Sequence, residues 1–399
     1  MPSKKIAFPV LVLLALFSCL PNITSAQGHI AEKGIIILVK FPDVNNVIDR
    51  NLVEMRFSRQ LNNYIQQMSY DKVSLEIDTT EKWYTLPEPV GHYKISPRNL
   101  EVDRSRIRKL IDDTFGAVEN DVNFSKYDFS VIFMNAKVED YGMIGLCGYP
   151  GMLGFSSQDA LKTPSGQLIK GGTAIFCFQA HLGTLFHDIA HILGGTKEGK
   201  RMLPCLYDHD LQAKPGPTRQ VGIEAMINMG YWDPMSCHFY KWGQPPPGVC
   251  SWTKIRLNWL EPSQIKIVNP VPKTEFVLDP LENGSAQILA AKIPISKNTY
   301  YLLENRRPIG YDKVLPQYGV LVMYADDSVA ECRHGLAPVK LINANPSVPN
   351  LEAAAFDIDG KNFYQDNKNG IRIDILEKIG DSYKIRVSHL EPAGLRQGR

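Results

Sequence analysis

The sequence predicts an α+β protein in two parts, with mixed helices and strands first and a β-rich, sandwich-like part after them. Three observations carry that expectation. Apolar runs of strand period and helix period alternate as far as about residue 262. Beyond Glu261-Pro262 the texture changes to short strand-like runs separated by turn residues. Between these regions, His187-Asp188-Ile189-Ala190-His191 sets two imidazoles four residues apart inside an apolar segment that ends on Gly194-Gly195. At 399 residues the chain exceeds one typical domain, and we place the boundaries at 1–26, 27–262 and 263–399.

Residues 1–26 read as a signal peptide. Lys4 and Lys5 precede an apolar run from Ile6 to Leu20, and Thr24-Ser25-Ala26 offers small residues for cleavage before Gln27. The run is shorter than the roughly 20 residues that span a bilayer, so the expectation is a secreted, extracellular chain with no transmembrane helix once processed. Cys19 keeps a lipoprotein-like alternative open. Removing this segment takes away two lysines and no acids, which brings the net charge from +2 to near zero. No basic field remains to suggest a nucleic-acid partner.

Gly34 to Phe41 reads as a buried strand, Leu52 to Met68 as a helix and Val73 to Asp78 as an alternating strand. Val102 to Phe115 reads as a helix, Phe129 to Met134 as a strand, Gly142 to Gly172 mostly as loop, and Thr173 to Phe178 as a strand. The motif helix should start near Thr184, a residue type suited to an N-cap, and stop at Gly194-Gly195. In the second part, strands are expected at Ile265–Val268, Glu275–Leu278, Gln287–Ile293, Tyr300–Glu304, Gly319–Tyr324, Ile371–Leu376 and Tyr383–Val387.

On a helix, positions i and i+4 share a face, so His187 and His191 can meet one metal ion. Zinc proteases of the H-E-x-x-H type have that spacing, with the Glu as general base. Asp188 stands at the Glu position here. An Asp is one methylene shorter, and a displacement of about 1 Å can cost on the order of 100-fold in rate. A positioned base contributes roughly 100- to 10,000-fold, so Asp188 is expected to be a weakened base unless the site is remodelled.

Further motifs surround this helix. They are Phe41-Pro42-Asp43-Val44, Met68-Ser69-Tyr70 followed by Ser74-Leu75, Trp83-Tyr84-Thr85-Leu86-Pro87, and Asn123 to Asp128. Beyond the helix come Gly230-Tyr231-Trp232-Asp233-Pro234-Met235-Ser236, Ser251-Trp252-Thr253-Lys254 with Asn258-Trp259-Leu260, and Tyr301-Leu302-Leu303-Glu304-Asn305-Arg306 with Asp312 and Leu315 to Gly319. In this order they resemble the M6 (immune inhibitor A-like) family of secreted zinc metalloproteases over almost the whole mature length. The resemblance implies a zincin/metzincin-like catalytic domain, a zinc cofactor, hydrolysis of a protein or peptide substrate, and Met235 as an apolar floor beneath the metal.

The family's third ligand is an Asp three residues after the helix-ending Gly, a position that falls on Lys197 here. The matching string returns as Leu203-Pro204-Cys205-Leu206-Tyr207-Asp208, after an insertion from Gly195 to Met202. Cys205 occupies the ligand's place, while Asp208 has the family's ligand chemistry, with His209 and Asp210 beside it. Asp208 is the first expectation for the third ligand and Cys205 the alternative. About eight residues separate Gln27 from the first strand, so no inhibitory prosegment is expected. Asp188, Lys197 and that missing segment support a rival expectation, a catalytically weak or inactive relative that acts as a secreted binding module.

Six cysteines follow the signal peptide, an even number that in an exported chain suggests disulfides, with Cys237–Cys250 the nearest pair. Asn123-Phe124-Ser125 and Asn283-Gly284-Ser285 fit the N-glycosylation pattern. Asp357-Ile358-Asp359-Gly360-Lys361-Asn362 with Asp366 spaces oxygen ligands as calcium loops do, but without the full loop pattern, so a solvated turn is the first expectation and a structural Ca2+ site the second.

Overall fold

The computed structural model describes residues 29–44, 47–96, 102–155, 161–214, 223–270 and 273–390. The expected signal peptide lies outside them. The protein is a mixture of helices and sheets, and the motif helix sits where the first sheet meets the second part of the chain.

Strand β1 (Ile30–Lys40) is central to the first sheet, with β2 (Val73–Thr79) and the short β3 (Tyr84–Thr85) on one side and β4 (Phe129–Met134) on the other, all parallel. β6 (Thr173–Cys177) follows in parallel, and β5 (Gly145–Tyr149) closes that edge antiparallel. A parallel sheet is covered on both faces, so its strands read as unbroken apolar runs. Ile36 and Leu38 pack with Phe57, Tyr64, Phe186 and Ile189 on one face. Ile35, Ile37 and Val39 pack with Ile107, Ile111 and Phe115 on the other. The first face receives the helical run Arg50–Met55, Arg56–Leu61 and Asn62–Ser69, together with the motif helix Leu182–Gly194. The second receives the helix Arg104–Val118.

β5 lies within the Gly-rich stretch expected to be mostly loop. Its glycines hide the apolar period, and one of them is required by packing. A Cβ at Gly145 would lie 2.8 Å from Asp188 Oδ2, Phe176 Cδ1 and Thr184 Cγ2 alike, so this glycine lets the motif helix approach the sheet.

The second part holds two sheets. One orders Val339–Leu341, Gly319–Asp326, Thr299–Arg306, Ala290–Pro294 and Ile265–Ile267; the other orders Lys273–Leu278, Ser382–His389, Ile371–Ile379 and Phe363–Asp366. Alternation along Thr299–Arg306 explains their arrangement. Tyr301 and Leu303 share a core with Phe276, Ile373 and Ile385 of the four-stranded sheet. Tyr300 and Leu302 instead join the core that contains Phe186, Trp252 and Trp259. The five-stranded sheet is therefore buried on both faces, and the two parts share an apolar core.

At that junction Arg306 is fully buried. Its guanidinium bonds both carboxylate oxygens of Asp312, Glu304 at 3.0 Å, and the carbonyls of Trp232 (3.0 Å) and Gly248 (2.8 Å). Glu304 also accepts from the Ser251 backbone N–H. Removing one partner from such a buried pair leaves charge unpaired and costs about 3–5 kcal/mol. Arg306→Met is expected to lower stability by about that amount, read as a lower urea midpoint with an unchanged slope. A loss below about 1 kcal/mol would contradict the structural role assigned to Arg306.

Candidate metal centre

The motif helix begins slightly earlier than expected. His181 is the N-cap, its Nδ1 accepting from the Gly183 N–H at 3.1 Å, and Thr184 lies inside the helix with Oγ1 2.9 Å from His238 Nδ1. The helix stops at Gly195, whose φ of +62° a side chain would resist.

Two backbone carbonyls fix the imidazole tautomers. His187 Nδ1 donates to Pro234 O at 3.0 Å, and His191 Nδ1 donates to Leu203 O at 2.7 Å. Because a carbonyl only accepts, each Nδ1 carries a proton, and each Nε2 of the neutral ring presents a lone pair. These two Nε2 atoms lie 3.1 Å apart, and Cys205 Sγ lies 3.5 Å from the first and 3.4 Å from the second. A tetrahedral zinc ion about 2.0–2.1 Å from nitrogen and about 2.3 Å from sulfur sets ligand edges of roughly 3.3 Å and 3.6 Å. The three donor atoms fit that triangle. Among the described residues this buried trio is the group that could hold a metal ion.

Asp208, the first expectation for the third ligand, is placed elsewhere. Its Oδ1 accepts from the Asp210 and Leu211 N–H groups at 3.0 Å, and its Oδ2 from the Gly335 N–H at 3.2 Å. It is the N-cap of the short helix His209–Gln212, so both its oxygens are engaged by backbone donors away from the histidines. The structure brings Cys205 to the histidines, and Asp208 is not part of that trio. Lys197 is exposed in a hairpin, Thr196–Lys197 with Lys200–Arg201, turned by Glu198 and Gly199 at positive φ. That hairpin falls within the segment expected to be an insertion, from Gly195 to Met202.

Asp188 is buried on the same helix, against Gly145. Burial is the main cause that pushes its carboxyl up to about 7. Met235 is fully buried, and its carbonyl accepts from the Leu206 N–H at 2.8 Å. The Trp232–Ser236 turn thus supports His187 through Pro234 and the Cys205 strap through Met235.

Several neighbours had no place in the sequence expectations. The ring of His238 lies 4.8 Å from that of His187, and Tyr207 stacks on His187 at 5.8 Å. Tyr207 Oη is 3.2 Å from Cys205 Sγ, and Arg201 Nη2 is 3.8 Å from it. Tyr207 lies within the string from Leu203 to Asp208, but Arg201 belongs to the hairpin before it and His238 follows Met235 by three residues, with no spacing rule to mark either. Burial works to raise the Cys205 thiol, but the charges around it override burial and hold the thiol well below its usual range. Burial and Arg201 push His191 down to about 4, so that ring is neutral. Burial works against a charged His209, but Cys205 and Glu331 outweigh it and raise that ring to about 9, so Arg201 and His209 are the positive charges beside the sulfur.

The expected disulfides are not formed. All six cysteines from Cys147 to Cys332 are free. Cys237 Sγ donates to Phe239 O, while Cys250 Sγ faces Thr253 Oγ1, so proximity in sequence did not bring the two thiols into register. The calcium-like loop makes a turn. Asp357 accepts from Tyr383 Oη and Asp366 from Tyr301 Oη. Asn123 and Asn283 are exposed. No helix among the described residues is long and apolar enough to cross a membrane.

In comparisons with known proteins, no family model matches the chain and no curated protein matches it.

Metal capture here requires a thiolate and two neutral imidazoles, so binding releases protons. Burial disfavours the His187 cation, but Cys205 outweighs it and raises His187 above its ordinary value. A raised group holds its proton to higher pH, so metal affinity, measured with zinc, is expected to fall as pH drops through the imidazole range. Titration calorimetry from about pH 8 down to about pH 5.5 checks this, and a pH-independent affinity would count against the three-ligand site. Alkylation of the unreduced, denatured protein should label every cysteine from Cys147 to Cys332, and protected pairs would restore the disulfide expectation.

Proposed function

We propose that the protein is a zinc-dependent hydrolase of peptide bonds, with His187, His191 and Cys205 as the metal ligands. One observation carries the reading: three donor atoms from two elements converge at ligand-edge distances, with both imidazole tautomers fixed by carbonyls. Three protein ligands leave a fourth position open, the pattern of catalytic rather than closed structural zinc sites. Zinc bound there supplies Lewis acidity, making water nucleophilic near neutral pH and polarising a carbonyl.

The chain's own residues divide the remaining work. Pro234 O and Leu203 O orient the imidazoles, and the strap from Leu203 to Leu206 brings the thiol to them. Asp188, beside the first ligand, is the carboxylate proposed to accept a proton at Oδ and return it to the leaving amine. The resemblance to the M6 family is the second support. The motifs that carry it gather here, since Asp233 accepts from Met235 N, Cys250 N and Thr253 Oγ1, and Arg306 holds Trp232 O. A protein or peptide substrate and a secreted location belong to the same proposal.

A rival reading has its own observation. His187, Asp188, His191 and Cys205 are each at most 5% exposed, and Asp188 is the shorter acid. Both features suit a catalytically weak or inactive relative that keeps the metal and serves as a binding module.

The test is cleavage of a denatured protein or a peptide library by zinc-loaded protein. The proposal expects cleavage that chelation abolishes and that Asp188→Asn reduces by roughly 100- to 10,000-fold in kcat with zinc content unchanged. Zinc-loaded protein that cleaves nothing favours the rival. If Asp188→Glu then awakens cleavage, the length of the acid is the defect.

A further inference from the structure

The insertion between the motif helix and the third ligand does more than lengthen the chain. Its hairpin leaves Lys197 and Lys200 exposed but turns Arg201 inward, to 9% exposure. Glu331 receives the guanidinium at 3.3 Å and 3.5 Å, and the ring of Phe155 lies 5.5 Å from it. The same Nη2 reaches Cys205 Sγ at 3.8 Å. Glu331 is shared with His209 Nε2 at 3.4 Å, so the carboxylate does not belong to the arginine alone. Burying a guanidinium is costly unless its surroundings carry compensating charge. The sulfur of a metal-ligating thiolate is such a charge.

Sulfur ligands are tuned by the hydrogen bonds they accept, and groups that orient a ligand govern the metal's properties. A donor on a thiolate withdraws electron density that the sulfur would otherwise give to the ion. The Arg201 guanidinium donates to Cys205 Sγ, and the Tyr207 hydroxyl lies 3.2 Å from the same sulfur, placed to donate once the thiol is ionised. Arg201 brings a full charge held in place by Glu331, beside a His209 ring that Cys205 and Glu331 also keep protonated.

We propose that Arg201 is a positioning residue for the metal centre, which donates to Cys205 Sγ, fixes its direction and weakens its electron donation so that the ion stays strongly electrophilic. This deepens the zinc reading above and rests on Cys205 being a ligand there. The insertion thereby acquires a role in the chemistry. A Cys in place of a carboxylate ligand donates more electron density, and the inserted hairpin brings a permanent cation that helps to offset it.

The test loads the full-length protein with Co2+ alone and records the sulfur-to-cobalt charge-transfer absorption. Wild type should show the band. Arg201→Met should move it to longer wavelength, because a thiolate without its cationic donor gives up electrons more readily. Arg201→Lys, which restores the charge, should move it part of the way back, and this variant serves if Arg201→Met does not fold. A merely structural arginine would leave the band where it is. A band in wild type that stays unmoved in both variants overturns the role of Arg201 while the metal site stands. A wild-type protein that binds Co2+ without the band overturns Cys205 as a ligand, and the inference falls with it.

Discussion

The buried guanidinium of Arg306 is the contact on which the site's geometry depends. It joins a strand of the second part to the Trp232 carbonyl in the turn that supports His187, and to Gly248 ahead of the helix Ser251–Arg256. Asp233 then spends both carboxylate oxygens on the same turn and helix, accepting from Met235 N, Cys250 N and Thr253 Oγ1. Pro234 O emerges from this locked segment to orient the His187 ring. A cation with several buried partners cannot move by small degrees, since any displacement strands a charge in an apolar junction. The carbonyl that sets the His187 tautomer is therefore held by the packing of two sheets.

The three candidate ligands reach the site by two routes of different stiffness. His187 and His191 ride on a helix packed against the sheet through Gly145 and against the His238 backbone through Gly183, where a Cβ would overlap the carbonyl. Cys205 rides on an irregular strap held by Leu206 N to Met235 O and by the bond from His191 to Leu203 O. The strap depends on the metal-site histidine as much as the histidine depends on the strap. That mutual support makes the trio a unit of three buried polar side chains that satisfy one another's hydrogen bonds.

Much of the fold is legible in the sequence because burial on both faces writes itself as an unbroken apolar run. β1, β4 and β6 are readable in that way, and the seven expected strands of the second part all correspond to observed ones. β5 is hidden by Gly145 and Gly148, present where close approach matters more than apolar content. Val339–Leu341 is too short to show a period, and Phe363–Asp366 is an edge strand that is largely uncovered. The two histidines are legible from helical geometry alone. The third position is not, because Asp208 and Cys205 differ by one turn of irregular chain, for which no periodicity exists. A cue is present in Asp208-His209-Asp210-Leu211, an acid ahead of a helical turn that reads as an N-cap. The disulfide expectation failed because an even count carries no geometry.

The central claim is that one sulfur and two imidazole nitrogens hold the ion. Zinc-edge X-ray absorption on the loaded, full-length protein measures that first shell directly. The account predicts a single sulfur at about 2.3 Å with nitrogen or oxygen neighbours at about 2.0–2.1 Å, and loss of the sulfur component in Cys205→Ser. A shell made only of nitrogen and oxygen, unchanged by that substitution, would contradict it and return the third position to a carboxylate.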